Sequence, residues 1–318
     1  MQQPTILVTG ALGQIGRVLL ERLVRDHGAP AVLATDLADH VIGLPCRYVQ
    51  LDATDEEAWR RLADRFTFER VYHLVAVLSA KGEADPWQAW DINMQSWRSA
   101  LTTAQAWPGC RVFYPSSIAV YGPPLPTCAT ENTALWPTTS YGISKAAGEQ
   151  WGDYARRRYG VDVRSLRLPG VIGYQTLPGG GTTDYAVDIF HQALRRGRFT
   201  CFLSADTRLP MIYMDDVLRG IEDLMSADAA DLAAAGAHAV YNLAGFSVSP
   251  RELADAIRAE LPAFEIEYAP DERQRIAESW PEELDGRLAE RAFGWRPRYD
   301  LAATTCEMLT RLRAARPA

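Results

Sequence analysis

The chain has 318 residues, 47% of them apolar, enough for one large α/β domain with or without a small annex. Its formal net charge of −7 argues against a nucleic-acid partner, whose phosphates require basic patches. Five cysteines (Cys46, Cys110, Cys128, Cys201, Cys306) are scattered and form no CxxC pair, so reduced thiols are expected rather than a disulfide frame or a zinc site.

The opening MQQPTILVTG runs straight into an apolar strand at 5–10 with no basic leader, and no apolar run reaches bilayer length. A cytoplasmic protein with no membrane partner is expected. Residues 14–28 show helical spacing, with Ile15, Leu19 and Leu23 on one face and Gly28 as a stop. Strands are expected at 31–36 and 47–52, and a helix at 55–66 whose acidic first turn suits the helix dipole. Further strands at 70–80 and 110–117 flank a helix over 86–107; a helix over 139–158 and a strand at 161–168 follow. Near-continuous apolar strands alternating with helices predict an α/β fold, a doubly wound parallel sheet covered on both faces.

After residue 170 the rhythm changes. A glycine-rich loop spans 177–186 and an alanine-rich surface connection 227–237. A strand at 239–245 returns to the sheet. A helix over 249–262 starts with a Ser249–Glu252 capping box and Pro250 in its first turn. Residues 1–170 with the strand at about 238–245 are read as the large domain, and 171–237 with 246–318 as a smaller α/β substrate subdomain.

Gly10, Gly13 and Gly16 close the first strand and open the first helix. A tight structural turn would also use three glycines. The strand before, the helix after, and Asp36 twenty residues beyond Gly16 favour a dinucleotide site, with the pyrophosphate at the helix N-terminus. A carboxylate at Asp36 accepts from the adenosine ribose hydroxyls and repels a 2′-phosphate, so NAD is expected over NADP. Asp52, closing the third strand, faces the adenine edge or is a loop or capping carboxylate.

Tyr141 precedes Lys145 by one helical turn in TTSYGISKAAGEQW. Chance alone would produce such a pair. Oxidation of an alcohol, however, needs a base for the hydroxyl proton, and free tyrosine, at about 10, titrates too high. An adjacent ammonium and a positive nicotinamide favour the phenolate. Ser117, with Ser116 as competitor, sits at a strand end where a hydroxyl can orient the substrate oxygen.

These motifs, with HLVA (73–76), Asn93, PSSIAVYG (115–122) and RLPG (167–170), resemble the extended short-chain dehydrogenase/reductase superfamily, which implies a Rossmann-type fold and Ser117, Tyr141 and Lys145 as catalytic residues. The resemblance implies further cofactor contacts from Gln14, Ile15, Ala53, Leu74, Ala76, Asn93 and Leu168. At Leu168 a tyrosine is expected, so this chain departs from the pattern there. AVLSAKGEADPWQAWDINM (76–94), PGGGTTDYAVDIF (178–190), LPMIYMDD (209–216) and IAESWP (276–281) are similar to the short-chain-type L-threonine 3-dehydrogenases. That likeness implies metal-independent oxidation of L-threonine to 2-amino-3-oxobutyrate, with Ser79, Thr183 and Trp280 lining the substrate pocket and Asp184 meeting the ammonium. It also implies a homodimer paired through two helices carrying outward Trp97, Ala147 and Trp151. Nucleotide-sugar epimerases share these parts, and a non-catalytic NAD sensor is a third reading. The five histidines (27, 40, 73, 191, 238) show no ligand spacing, so no metal is expected.

Overall fold

The computed structural model describes residues 3–39, 41–236 and 240–315. The first half builds β1 (Ile6–Thr9), α1 (Gln14–His27), β2 (Val32–Asp36), β3 (Arg47–Gln50), α2 (Glu56–Ala63), β4 (Arg70–His73), α3 (Ser79–Ala84), α4 (Pro86–Ala104), β5 (Arg111–Ser117), β6 (Cys128–Ala129), α5 (Ser140–Tyr159) and β7 (Asp162–Leu168). The second half adds β8 (Gly170–Ile172), α6 (Tyr185–Arg196), β9 (Arg198–Cys201), β10 (Leu209–Tyr213), α7 (Met214–Ser226), α8 (Ala229–Ala234), β11 (Val240–Asn242), β12 (Phe246–Val248), α9 (Pro250–Glu260), β13 (Glu265–Tyr268), α10 (Arg273–Glu278), β14 (Glu283–Leu284), α11 (Arg287–Phe293) and α12 (Leu301–Ala314).

Among the described residues, seven strands form one sheet in the order β11-β7-β5-β4-β1-β2-β3, all parallel. This is the Rossmann-type doubly wound order. Its direction reverses between β1 and β4, where ligands of such sheets bind outside the carboxyl ends. Side chains alternate across the sheet as the pleat requires. Leu7, Val112 and Val163 face a layer with Trp59 and Trp97. Ile6, Val8, Phe113 and Leu166 face Leu19 and Leu23 of α1 and Val217 and Ile221 of α7. A further core joins α6, β10, α9 and α12 through Phe190, Met211, Leu253 and Met308. Smaller sheets, β12-β10-β8, β13-β9 and β14-β6, sit in this second region.

Local chemistry sets the ends of the helices. The Thr139 hydroxyl accepts from Gly142 N at 3.0 Å to cap α5, and Gly160 ends it at φ 70. Asp55 caps α2, and the expected capping box is present at the start of α9.

Four expectations need correction. The apolar run 70–80 is a strand only to His73; residues 74–78 then cross the glycine loop, and α3 begins at Ser79. A Cβ on Gly10 would lie 2.9 Å from the Leu74 carbonyl carbon, so the chain turns where glycine leaves room. The 227–237 connection contains α8, capped by Asp228 and anchored by buried Leu232. Helices α7 and α11, expected in the annex, pack on the large sheet through Val217, Ile221, Ala289 and Ala292. Trp97, expected to face outward, is fully buried: its ring stacks on Tyr114 at 4.4 Å and its Nε1 donates to Gly148 O at 3.0 Å. Ala147 is half-buried, and Trp151 is exposed. The returning strand is β11; residues 238 and 239, and His40 and His238, lie outside the described residues.

Candidate active site

The carboxyl ends of β1, β4, β5 and β7 converge on one cavity. Its rim includes Gly10, Gly13, Gln14, Ile15 and Gly16 from the first loop, and Leu74 and Ala76 after β4. Gly10 takes φ 67. A Cβ on Gly16 would lie 2.4 Å from Gly10 O, so helix and loop touch only because both are glycine. Gly13 caps α1 without any side-chain bond, and the first turn of α1 carries no acid. Its amides are therefore left for an anion, and these residues fit a pyrophosphate. Asp36 stands behind the loop, its carboxylate accepting from Leu12 N at 2.9 Å and Leu37 N at 2.8 Å.

Asp52, Ala53 and Asn93 do not line this cavity. Asp52 is exposed and accepts from the backbone and hydroxyl of Thr54 at 2.9 and 2.7 Å, an Asx turn before α2. Ala53 is buried, its carbonyl accepting from Trp59 Nε1 at 3.0 Å. Asn93 works from behind. Its Oδ1 accepts from Val77 N at 2.7 Å, and its Nδ2 donates to Ser144 Oγ at 3.0 Å, clamping the loop after β4 to α5.

Helix α5 lies very close to β5. A Cβ at Gly142 would come within 2.1 Å of Ala119 O, and one at Gly148 within 2.1 Å of Tyr114 Oη. This approach brings Tyr141 and Lys145 to the strand end. Ser117 and Tyr141 line the same cavity wall, and Lys145 Nζ donates to Pro115 O at 2.7 Å and sits 5.6 Å from the Tyr141 ring centre. Ser116 turns away to donate to Glu149, which separates the two serines. Burial pushes the Tyr141 phenol up to about 12, eased by Ser117. The same burial pulls Lys145 down to about 7, opposed by Glu149. Burial therefore works on the phenol against the lowering expected from an adjacent ammonium and a positive nicotinamide.

The opposite wall comes from the second region. Trp280, 7% exposed, both lines the cavity and belongs to the annex core. Thr183 lies over Gly170, where a Cβ would meet Thr183 Cβ at 2.9 Å. Asp184 Oδ2 accepts from the amides of Gly179, Gly180 and Gly181 at 2.7, 2.8 and 2.8 Å, so this carboxylate pins the glycine loop. Ser79 is 3.5 Å from Thr182, oxygen to oxygen. Thr182, 1% exposed, was not expected, because one more hydroxyl in GGGTTD carries no distinguishing spacing. Leu168 lines the cavity and packs into the large-sheet core.

Residues 6–244 match the NAD dependent epimerase/dehydratase family. The chain belongs to that family. An uncharacterized epimerase/dehydratase of Staphylococcus haemolyticus strain JCSC1435 is 40% identical over 309 residues, 96% of each chain. Among solved structures, a GalE-like L-threonine dehydrogenase from Cupriavidus necator, in its holo form, is 43% identical with a TM-score of 0.94, covering 97% of this chain and 100% of that one. A monomeric L-threonine 3-dehydrogenase of metagenomic origin is 40% identical with a TM-score of 0.93, covering 97% and 99%. This family member is an NAD-dependent oxidoreductase of the epimerase/dehydratase type with an extended short-chain fold. Among the described residues, no helix is long and apolar enough to cross a membrane, and no cluster of His, Cys, Asp and Glu is arranged to hold a metal ion.

Proposed function

We propose that this protein oxidises L-threonine at its 3-hydroxyl to 2-amino-3-oxobutyrate, with NAD as oxidant and no metal. The observation that carries the reading is the cavity itself: Ser117, Tyr141 and Lys145 on one wall face the hydroxyls of Ser79, Thr182 and Thr183 on the other, under Trp280. Bound NAD would supply the hydride acceptor and a positive ring that favours the phenolate. Gly10, Gly13, Gln14, Ile15 and Gly16 would hold its pyrophosphate, Asp36 its adenosine ribose, and Lys145 its nicotinamide ribose. Ser117 orients the substrate hydroxyl and Tyr141 takes its proton. The paired hydroxyls give a small zwitterion donors and acceptors without a long groove. The likeness to L-threonine dehydrogenases along nearly the whole chain supports the same substrate. Part of the reading is a division of labour, with the large sheet holding the dinucleotide and the annex closing over the amino acid.

Purified protein with NAD and L-threonine should generate NADH. Silence with L-threonine, alongside turnover of a UDP-hexose, would replace this reading with the epimerase one that the family description also admits. An epimerase returns its hydride and makes no net NADH.

Assembly belongs to the same proposal. Trp90 and Met94 of α4 with Trp151 and Tyr159 of α5 line an apolar groove, and Trp151, Tyr154 and Tyr159 are exposed. Two copies paired on these helices would cover it. Light scattering gives the mass; a monomer, as described for one solved relative, would remove the dimer and leave the chemistry untouched.

A further inference from the structure

Three consecutive residues of β5 each face one residue of α5. Pro115 offers its carbonyl to Lys145, Ser116 donates to Glu149, and Ser117 lies beside Tyr141 in the cavity wall. Tyr141, Lys145 and Glu149 are four apart and share the helix face pressed on the strand. Glu149 is 5% exposed. It meets Arg167, also 5% exposed, through two parallel bonds of 2.9 Å (Nε to Oε1) and 2.7 Å (Nη2 to Oε2). Arg167 sits directly beside Ser116 in the register of β5 and β7. Its Nη1 donates to the Tyr121 hydroxyl at 2.8 Å, and Tyr121 donates to Asn242 Oδ1 at 2.7 Å. An apolar pair of equal volume would fill this space without the cost of desolvating two charges, so stability alone does not account for the ion pair.

We propose that Glu149, locked by Arg167 and Ser116, is a positioning residue for the tyrosine base: its charge keeps buried Lys145 protonated, and its bonds hold together the strand and helix that carry Ser117 and Tyr141.

The hydrogen bond of Lys145 is to a neutral carbonyl, and burial works against its charge; Glu149 is the group that opposes this. The faces of the Tyr114 and Tyr141 rings, 4.6 and 5.6 Å from Lys145 Nζ, also favour the cation but carry no charge of their own. Tyr141 on α5 and Tyr114 on β5 present phenols raised by burial, and His73 on β4 is held down to about 3 by burial and by Lys145. On its far side Glu149 borders a cleft where Asp153 pairs with Arg157 and Asp285 with Arg287, with Glu131 and Arg291 nearby.

This inference rests on Tyr141 as base but not on the identity of the alcohol, and its test separates the two. The sequence contains two lysines, Lys81 and Lys145, against thirty-one arginines. Full-length protein labelled at lysine Cε therefore gives two NMR signals, with exposed Lys81 as internal reference. In Glu149→Gln the Lys145 midpoint should fall by about one pH unit while Lys81 stays fixed. With NAD and a turned-over alcohol, the pH at which turnover rises should move upward, because a neutral lysine no longer favours the phenolate. Glu149→Asp, which keeps the charge, should restore both. If the single variant does not fold, Glu149→Gln with Arg167→Met leaves no orphaned charge and should show a smaller fall, because a positive charge leaves with the negative one. A folded charge-removing variant with an unmoved Lys145 midpoint overturns the proposal. A falling midpoint in a protein inert toward L-threonine would sustain it and reject only the substrate assignment.

Discussion

Tyr141→Phe removes one oxygen from the site and should lower kcat/KM about a thousandfold, the scale of general-base catalysis. NAD affinity by calorimetry should hold, since the glycine loop is untouched; persistent turnover would require another base. Lys145 carries a different signature. It titrates near 7 in the folded protein against 10.5 ordinarily, so between those values the unfolded chain binds the extra proton. Stability therefore falls as pH drops from about 10.5 towards about 7. Lys145→Met removes that dependence: its unfolding temperature near neutral pH should exceed that of the parent, while turnover is lost. An equal or lower temperature would contradict the desolvation argument. The Tyr141–Lys145 pair was legible in the sequence because chemistry restricts which residue types can serve and at what spacing; the preference for Ser117 over Ser116 came from the resemblance. Glu149 and Arg167 were not, since eighteen positions separate them and only the β5–β7 register makes them neighbours.

Among the elements, α5 and the glycine loop determine the geometry. Gly148→Ala would place a methyl against the Tyr114 hydroxyl and force α5 from β5. A cost of about 1–3 kcal/mol is expected, readable by denaturant unfolding. An undiminished midpoint would mean that the helix has room to spare. Asp184→Ala frees three amides at once. Hydrogen exchange at Gly179, Gly180 and Gly181 should accelerate at least tenfold, the loss of roughly 1.4 kcal/mol or more of protection. KM for the substrate should rise more than kcat falls. Unchanged exchange would show that the loop is held from elsewhere. Most large-sheet strands and the helices α1, α2, α4 and α5 were readable because each carries a local apolar pattern. The stop at His73 was not: Val75, Ala76 and Val77 continue the apolar pattern, and only the crossing over Gly10 takes them off the sheet. The short annex strands escaped for a related reason. Elements of two to five residues carry too little periodicity to stand out.

At the scale of the whole molecule, the first region brings the Gly10–Gly16 loop, Tyr141 and Lys145 to one cavity, and the second lays Trp280, Thr183 and the pinned glycine loop over it. Thr138 Oγ1 donates to Ser279 Oγ at 2.8 Å, tying the annex beside Trp280 to the residue before the cap of α5. How α7 and α11 return to the large sheet was not readable, because an amphipathic helix has no mark saying which of two cores it covers. The central claim is that the hydrogen on the hydroxyl-bearing carbon of L-threonine leaves with its electron pair for NAD. L-threonine deuterated at C3, incubated with the protein and NAD, tests this directly. The account predicts one deuterium in each NADH formed, in step with 2-amino-3-oxobutyrate. Threonine returned with its deuterium intact and no NADH, while a UDP-hexose is interconverted, would contradict it.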